Sequence, residues 1–102
     1  MDDNGGCMSI AILGGLDRLK KSYEQKGKDL GYTVKVFSQR VPNLAQRLSG
    51  VNGIVIFTGT IAHHMVDDAR RAAKKHQIPV GRSQSSSVSA FKRCLSDIST
   101  WS

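Results

Sequence analysis

Two adjacent histidines, His63 and His64, follow the apolar run Gly53-Ile54-Val55-Ile56-Phe57 and the polar link Thr58-Gly59-Thr60. At the start of a helix an imidazole feels the positive end of the helix dipole. That field disfavours its protonated form and keeps a ring nitrogen free to ligate a metal or accept a proton. Successive helical residues point about 100° apart, so the two rings would not face one ligand together. An axial metal ligand, a general base and a purely structural histidine are all open readings of this pair. Two other segments carry candidate chemistry. Gly14-Gly15 closes the first apolar run and would let backbone amides approach an anion at a helix N-terminus. A tight strand-to-helix turn needs the same glycines. Arg82 stands beside Ser83, Ser85, Ser86 and Ser87, a set able to hold a carboxylate or phosphate through charge-assisted hydrogen bonds. The same serines can do no more than cap the following helix.

Several chemistries find no support. The chain has neither GxGxxG nor GxxxxGK[ST], and no GxSxG elbow for a hydrolytic serine. Asp67 and Asp68 are neighbours that diverge on a helix, and His76 falls among Lys74 and Lys75 in a last turn, where a surface role suits it. Cys7 and Cys94 lie far apart and form no CxxC unit, so they read as reduced thiols rather than a disulfide or zinc site. No constellation compels catalysis.

The elements that must position these residues follow from hydrophobic period. Ser9-Ile10-Ala11-Ile12-Leu13 reads as a buried strand. Leu16, Leu19, Tyr23 and Leu30 then recur at helical spacing, with Gly31 as the stop. Tyr32–Phe37 is β-branched and aromatic, a second strand. Asn43 reads as the N-cap of a short helix with Leu44, Ala45 and Leu48, closed by Ser49-Gly50. Gly53–Phe57 is the most apolar strand and is expected at the sheet centre. A third helix is expected over Ile61 to His76, with Met65, Val66, Ala69, Ala72 and Ala73 turned inward. Ile78-Pro79-Val80 begins a fourth strand, and Val88, Phe91, Leu95 and Ile98 mark a last helix. The order βαβαβαβα predicts an α/β fold, a small doubly wound sheet of the flavodoxin or Rossmann kind. Four parallel strands in the order 2-1-3-4, with helices on both faces, are expected. The loops after strands one, three and four would then meet beyond the strand ends, where such sheets bind ligands.

At 102 residues the chain is sized for one domain, expected over 9–102 behind a flexible, acidic segment 1–8. No apolar run approaches the roughly 20 residues needed to cross a bilayer. The first residues are unlike a secretory n-region, which points to the cytoplasm. Lys and Arg number 15 against 8 Asp and Glu, a formal charge of +7. That excess invites nucleic acid, which would need a contiguous basic face with aromatic or base-reading residues. Aromatics are only 6% and do not cluster, and the basic pairs fall on separate helices, Lys20-Lys21, Arg70-Arg71 with Lys74-Lys75, and Lys92-Arg93. Solvated helix faces, with a few cations kept for an anionic small ligand, fit this distribution better than nucleic acid does.

Four features recur together in one bacterial family. They are the Gly-Gly turn ahead of a basic helix with Tyr23, a histidine opening the third helix, the stretch ending His76-Gln77-Ile78-Pro79, and the segment Arg82 to Phe91 followed by Leu95. In these the chain resembles the domain of unknown function 2325 family, from Ile10 to about Leu95. The resemblance implies a small dimeric cytosolic protein able to bind haem, serving gas or redox sensing or haem handling. The family histidine matches His63, with His64 as the alternative, and the family arginine matches Arg82. Many members carry histidines after the Gly-Gly turn, whereas this chain has Leu16-Asp17-Arg18, so that loop brings no second imidazole. Haem requires an iron ligand, an apolar slot and cations for its propionates. On this reading His63 is the ligand, and Ile61, Met65, Leu16 and Val88 form the slot. Arg82 with the serine hydroxyls, or Arg18 and Lys21, would hold the propionates. A domain of this size has little spare interior, so the cofactor would sit at the crevice under a second copy. The contrasting expectation is a phosphate- or nucleotide-binding regulatory domain that uses Gly14, Gly15 and the Arg82–Ser87 loop.

Overall fold

The computed structural model describes residues 8–37, 43–48, 50–59, 61 and 63–99, without the side chains of Ala45, His63 and Ser99. Four strands, β1 (Met8–Leu13), β2 (Tyr32–Phe37), β3 (Gly53–Phe57) and β4 (Val80–Ser83), alternate with four helices. The helices are α1 (Lys20–Asp29), α2 (Leu44–Leu48), α3 (His63–His76) and α4 (Val88–Ser99), and a single 3-10 turn, Asp17–Leu19, leads into α1. All strand pairs are parallel, and the sheet order is β2-β1-β3-β4. The expected doubly wound topology is therefore the observed one. No helix among the described residues is long and apolar enough to cross a membrane.

Strand alternation divides the interior into two cores. Ala11, Leu13, Ile54 and Ile56 face α2 and α3, where Leu44, Leu48, Met65, Ala69, Ala72 and Ala73 meet them. Ile10, Ile12, Val55 and Phe57 face α1 and α4, where Tyr23, Phe91, Cys94, Leu95 and Ile98 close the layer. Every residue of β3 is buried, the consequence of helices covering both faces of a central strand. The basic pairs Lys20-Lys21, Arg70-Arg71, Lys74-Lys75 and Lys92-Arg93 are all exposed, so most of the positive charge is solvated helix surface.

Three boundaries differ from the sequence reading. Of the segment 1–8, Met8 already opens β1, pairing with Tyr32, while residues 1–7 lie outside the described residues, as does Ser49. The third helix starts at His63 rather than Ile61, and β4 starts at Val80 because Ile78 and Pro79 form the link from α3. Asn43 accepts the Arg47 N–H through its carbonyl, as an N-cap does. Its φ of 59° is nevertheless left-handed rather than the extended conformation of a cap. At the other end of α3, Gln77 takes φ 55° and Ile78 N–H bonds the Ala73 carbonyl at 2.8 Å, a Schellman-type stop with glutamine at the glycine position.

One helix–strand contact is unusually close. A Cβ at Gly27, in the last turn of α1, would overlap Val34 Cγ2. Alanine there gains about 1 kcal/mol of helix propensity but forces apart α1 and β2, an overpacking cost of about 1–3 kcal/mol. Gly27→Ala is therefore expected to lower the melting temperature by several degrees, checked by thermal unfolding followed by circular dichroism. An increase would show that Val34 yields freely.

Candidate functional site

The order 2-1-3-4 places the switch point between the carboxyl ends of β1 and β3. The loops after β1, β3 and β4 are drawn together there by Tyr23, a residue of α1 with no exposed surface. Its hydroxyl accepts the Leu16 N–H at 3.3 Å and donates to the Ser86 carbonyl, so one buried side chain joins the first loop to the last. Its ring lies 5.4 Å from that of Phe57 at the end of β3 and meets Phe91 of α4 edge-on at 5.7 Å. Thr58 N–H bonds the Ser83 carbonyl at 2.8 Å. A Cβ on Gly59 would stand 2.6 Å from the Gln84 carbonyl oxygen, so the β3 and β4 loops touch backbone to backbone.

These contacts decide what the Gly-Gly turn does. Both glycines have left-handed φ, 89° and 88°, which a β-carbon disfavours. A Cβ on Gly15 would also lie 3.0 Å from the Tyr23 ring. The Gly14 N–H bonds the Phe37 carbonyl at 3.1 Å, and that of Leu16 is taken by Tyr23. Two of the amides that would greet a phosphate, those of Gly14 and Leu16, are thus already bonded, and Gly15 packs against Tyr23.

The serine run is similarly occupied. Ser83 Oγ donates to the Ser85 carbonyl at 3.0 Å and accepts the Ser85 N–H at 3.2 Å. Ser85 Oγ bonds Ser87 Oγ at 3.2 Å and accepts its N–H, and Ser87 Oγ accepts the Ala90 N–H at 3.1 Å as the N-cap of α4. Beside this network is an open cavity of about 360 Å³, lined by Arg82, Ser83, Ser85, Ser89, Arg93 and Asp97 among others. Cys94, a buried residue of α4, also belongs to its lining. Burial, and then the negative charge of Asp97, push the Cys94 thiol above its ordinary value of 9.0. A raised folded-state value means that the neutral thiol stabilises the fold below the ordinary value, and that this contribution is lost as pH rises through the folded value. Cys94 is expected to resist alkylation at pH 8 in the native state and to react on denaturation, which mass spectrometry after iodoacetamide reads directly. Rapid native labelling would contradict this.

The other sequence-derived residues divide as follows. His63 opens α3 just beyond the carboxyl end of β3, with its side chain outside the described residues, and His64 is exposed. Leu16 and Ile61 are half-buried at neighbouring strand ends, β1 and β3. Ile61 packs with Met65 on the α2–α3 core, and Val88 does not join them. Met65 is 4% exposed within the α2–α3 core, and Val88 packs on the opposite, α1–α4 core. The sheet itself separates the two sides of the expected slot, because alternate residues of each strand serve opposite faces. Arg18 and Arg82 are exposed, and neither has a carboxylate partner among the described residues. The filled cores leave only the surface beyond the strand ends for any bound group. Among the described residues no group of three or more His, Cys, Asp or Glu could hold a bare metal ion.

The structural role of Tyr23 was missed at the level of sequence, where it reads as one more apolar-face residue. Its signal is that it is the lone hydroxyl-bearing side chain among Leu16, Leu19 and Leu30 on that face. Against this geometry, the family model for DUF2325, an uncharacterized protein conserved in bacteria, matches residues 9–98. The chain belongs to the DUF2325 family. In this DUF2325 protein the match spans every strand and helix described, from β1 to α4. No curated protein and no solved structure matches it significantly.

Proposed function

We propose that this DUF2325 protein binds haem at the surface crevice beyond β1 and β3, with His63 as the axial iron ligand. The observation that supports the reading is that α3 begins at His63, directly after the carboxyl end of the buried central strand and beside β1. Sheets of this topology bind ligands at such a switch point. When bound, haem supplies an iron centre for gas or redox sensing, or is itself the cargo. Leu16 and Ile61 at the neighbouring loops would meet its apolar rim. Arg18 and Arg82, exposed and without a carboxylate partner among the described residues, would neutralise the propionates. Tyr23 holds the surrounding loops in register. The interior has no room for a cofactor, because Ile10 to Leu13 and Ile54 to Phe57 are fully covered by packed side chains. A second copy of the chain would therefore exclude water from the outer haem face, and the working form is a homodimer. Titration of the purified protein with haem, with sedimentation velocity at each step, tests this reading. A saturable Soret band together with a dimeric boundary is expected. Absorbance that rises without saturation would contradict it.

Binding of a phosphorylated metabolite is the weaker reading. The 360 Å³ cavity with Arg82, Arg93 and Ser89 favours it, while the committed amides of Gly14 and Leu16 count against any use of the Gly-Gly turn. Thermal shift with nucleotides and sugar phosphates distinguishes the two readings.

A further inference from the structure

The ladder between β3 and β4 alternates. Ile54 N–H bonds the Pro79 carbonyl at 3.0 Å and Thr58 N–H bonds that of Ser83 at 2.8 Å, with Val80 opposite Ile54 and Arg82 opposite Ile56. In a parallel pair this directs the backbone groups of 79, 81 and 83 inward and those of Val80 and Arg82 to the far side. No described strand lies beyond β4, so those groups form a free edge. Alongside that edge runs an open trough of about 570 Å³, bounded by α3. Its floor is apolar, formed by Ala73, Ile78 and Val80, and its rim carries Arg70, Lys74 and Arg82. All three cations are exposed, and none has a carboxylate partner among the described residues. The nearest acidic groups on α3 are Asp67 and Asp68, before the trough, and Asp97 belongs to α4 on the other side of the sheet.

Spacing gives the trough a preference. Arg70 and Lys74 are four residues apart on one helix, about 6 Å along its axis. Alternate side chains of an extended strand repeat at about 6.6 Å on one face. An added fifth strand would therefore bring an acidic-x-acidic pair level with Arg70 and Lys74 while its backbone bonded Val80 and Arg82. We propose that the β4 edge is a docking site for an acidic, extended peptide segment of a partner protein, bound by strand addition. Charge selects that occupant over a second copy of this chain, whose own β4 edge would bring three more cations to the same trough. The inference does not rest on haem binding or on His63, although Arg82 is common to both sites.

The probe is a fluorescein-labelled Glu-Thr-Glu-Thr-Glu-Thr peptide, followed by fluorescence anisotropy with the full chain. Two further versions carry N-methyl groups on alternate residues, one on the Glu set and one on the Thr set, so that one version blocks the edge facing β4 and the other the edge facing solvent. Saturable binding is expected, abolished by one methylation pattern and preserved by the other. The exposed double substitution Arg70→Glu with Lys74→Glu should weaken it by about tenfold or more, with unchanged circular dichroism. No binding, or equal binding of both methylated peptides, would overturn the proposal. So would displacement by millimolar glutarate or phosphate as effective as by the unlabelled peptide, which would make the trough a small-anion site. A dimer in sedimentation that Lys74→Glu dissociates would overturn it too, since a second copy would then hold the edge.

Discussion

Tyr23→Ala is expected to cost about 3–5 kcal/mol of stability, the range for deleting a buried aromatic from a packed core. The residue has no exposed surface and contacts Phe57 and Phe91, so its removal leaves a cavity lined by three elements that cannot close over it. It also strands two backbone groups, the Leu16 N–H and the Ser86 carbonyl, in the partly buried region between loops. Domains of this size have only about 5–15 kcal/mol in total, so the variant should unfold near or below physiological temperature. Tyr23→Phe separates the two contributions. It keeps the ring and loses only the hydroxyl, at about 1–2 kcal/mol for two unsatisfied partners. Urea unfolding followed by tryptophan-independent circular dichroism measures both. A Tyr23→Phe loss equal to that of Tyr23→Ala would place all of the stabilisation in the hydroxyl. No loss in either would show that the loops hold together without it.

The fold was legible because period and punctuation agreed at each step. Ile10 to Leu13 and Gly53 to Phe57 are short apolar runs ended by glycine or by a Thr-Gly pair, and Gly31 takes the left-handed φ of 90° that ends α1. Parallel topology follows from alternation, and strand order from the handedness of crossovers. The site was legible only in part. Sequence locates His63 and Ser85 to Ser87 beyond strand ends, because loop position depends on the order of elements alone, whereas the expected Arg82–Ser87 loop begins only after Ser83, with Arg82 inside β4. It does not say that Ser83, Ser85 and Ser87 bond one another, since a serine's partner depends on local turn geometry. Nor does it separate Met65 from Val88, because the two face opposite sides of the sheet only once register is fixed. The basic trough beside β4 is not legible in the sequence for the same reason. Arg70 and Lys74 read as one more solvated helix face until an open strand edge is set beside them.

The larger functional effect is expected at His63. On the proposed reading an imidazole nitrogen would be the one directional bond between chain and iron, while the arginines would contribute through exposed ionic contacts that solvent weakens. His63→Ala should therefore lower haem affinity by at least about tenfold to a hundredfold, whereas Arg82→Ala should lower it only several-fold. His64 is a necessary control, since it is the next residue on the helix and projects about 100° away. The most direct test is a haem titration of wild type, His63→Ala and His64→Ala, followed at the Soret band with circular dichroism to confirm that all three are folded. A sharp saturable band is expected in wild type and in His64→Ala, and its loss or marked displacement in His63→Ala. A His63→Ala spectrum and binding curve identical to those of wild type would contradict His63 as the iron ligand.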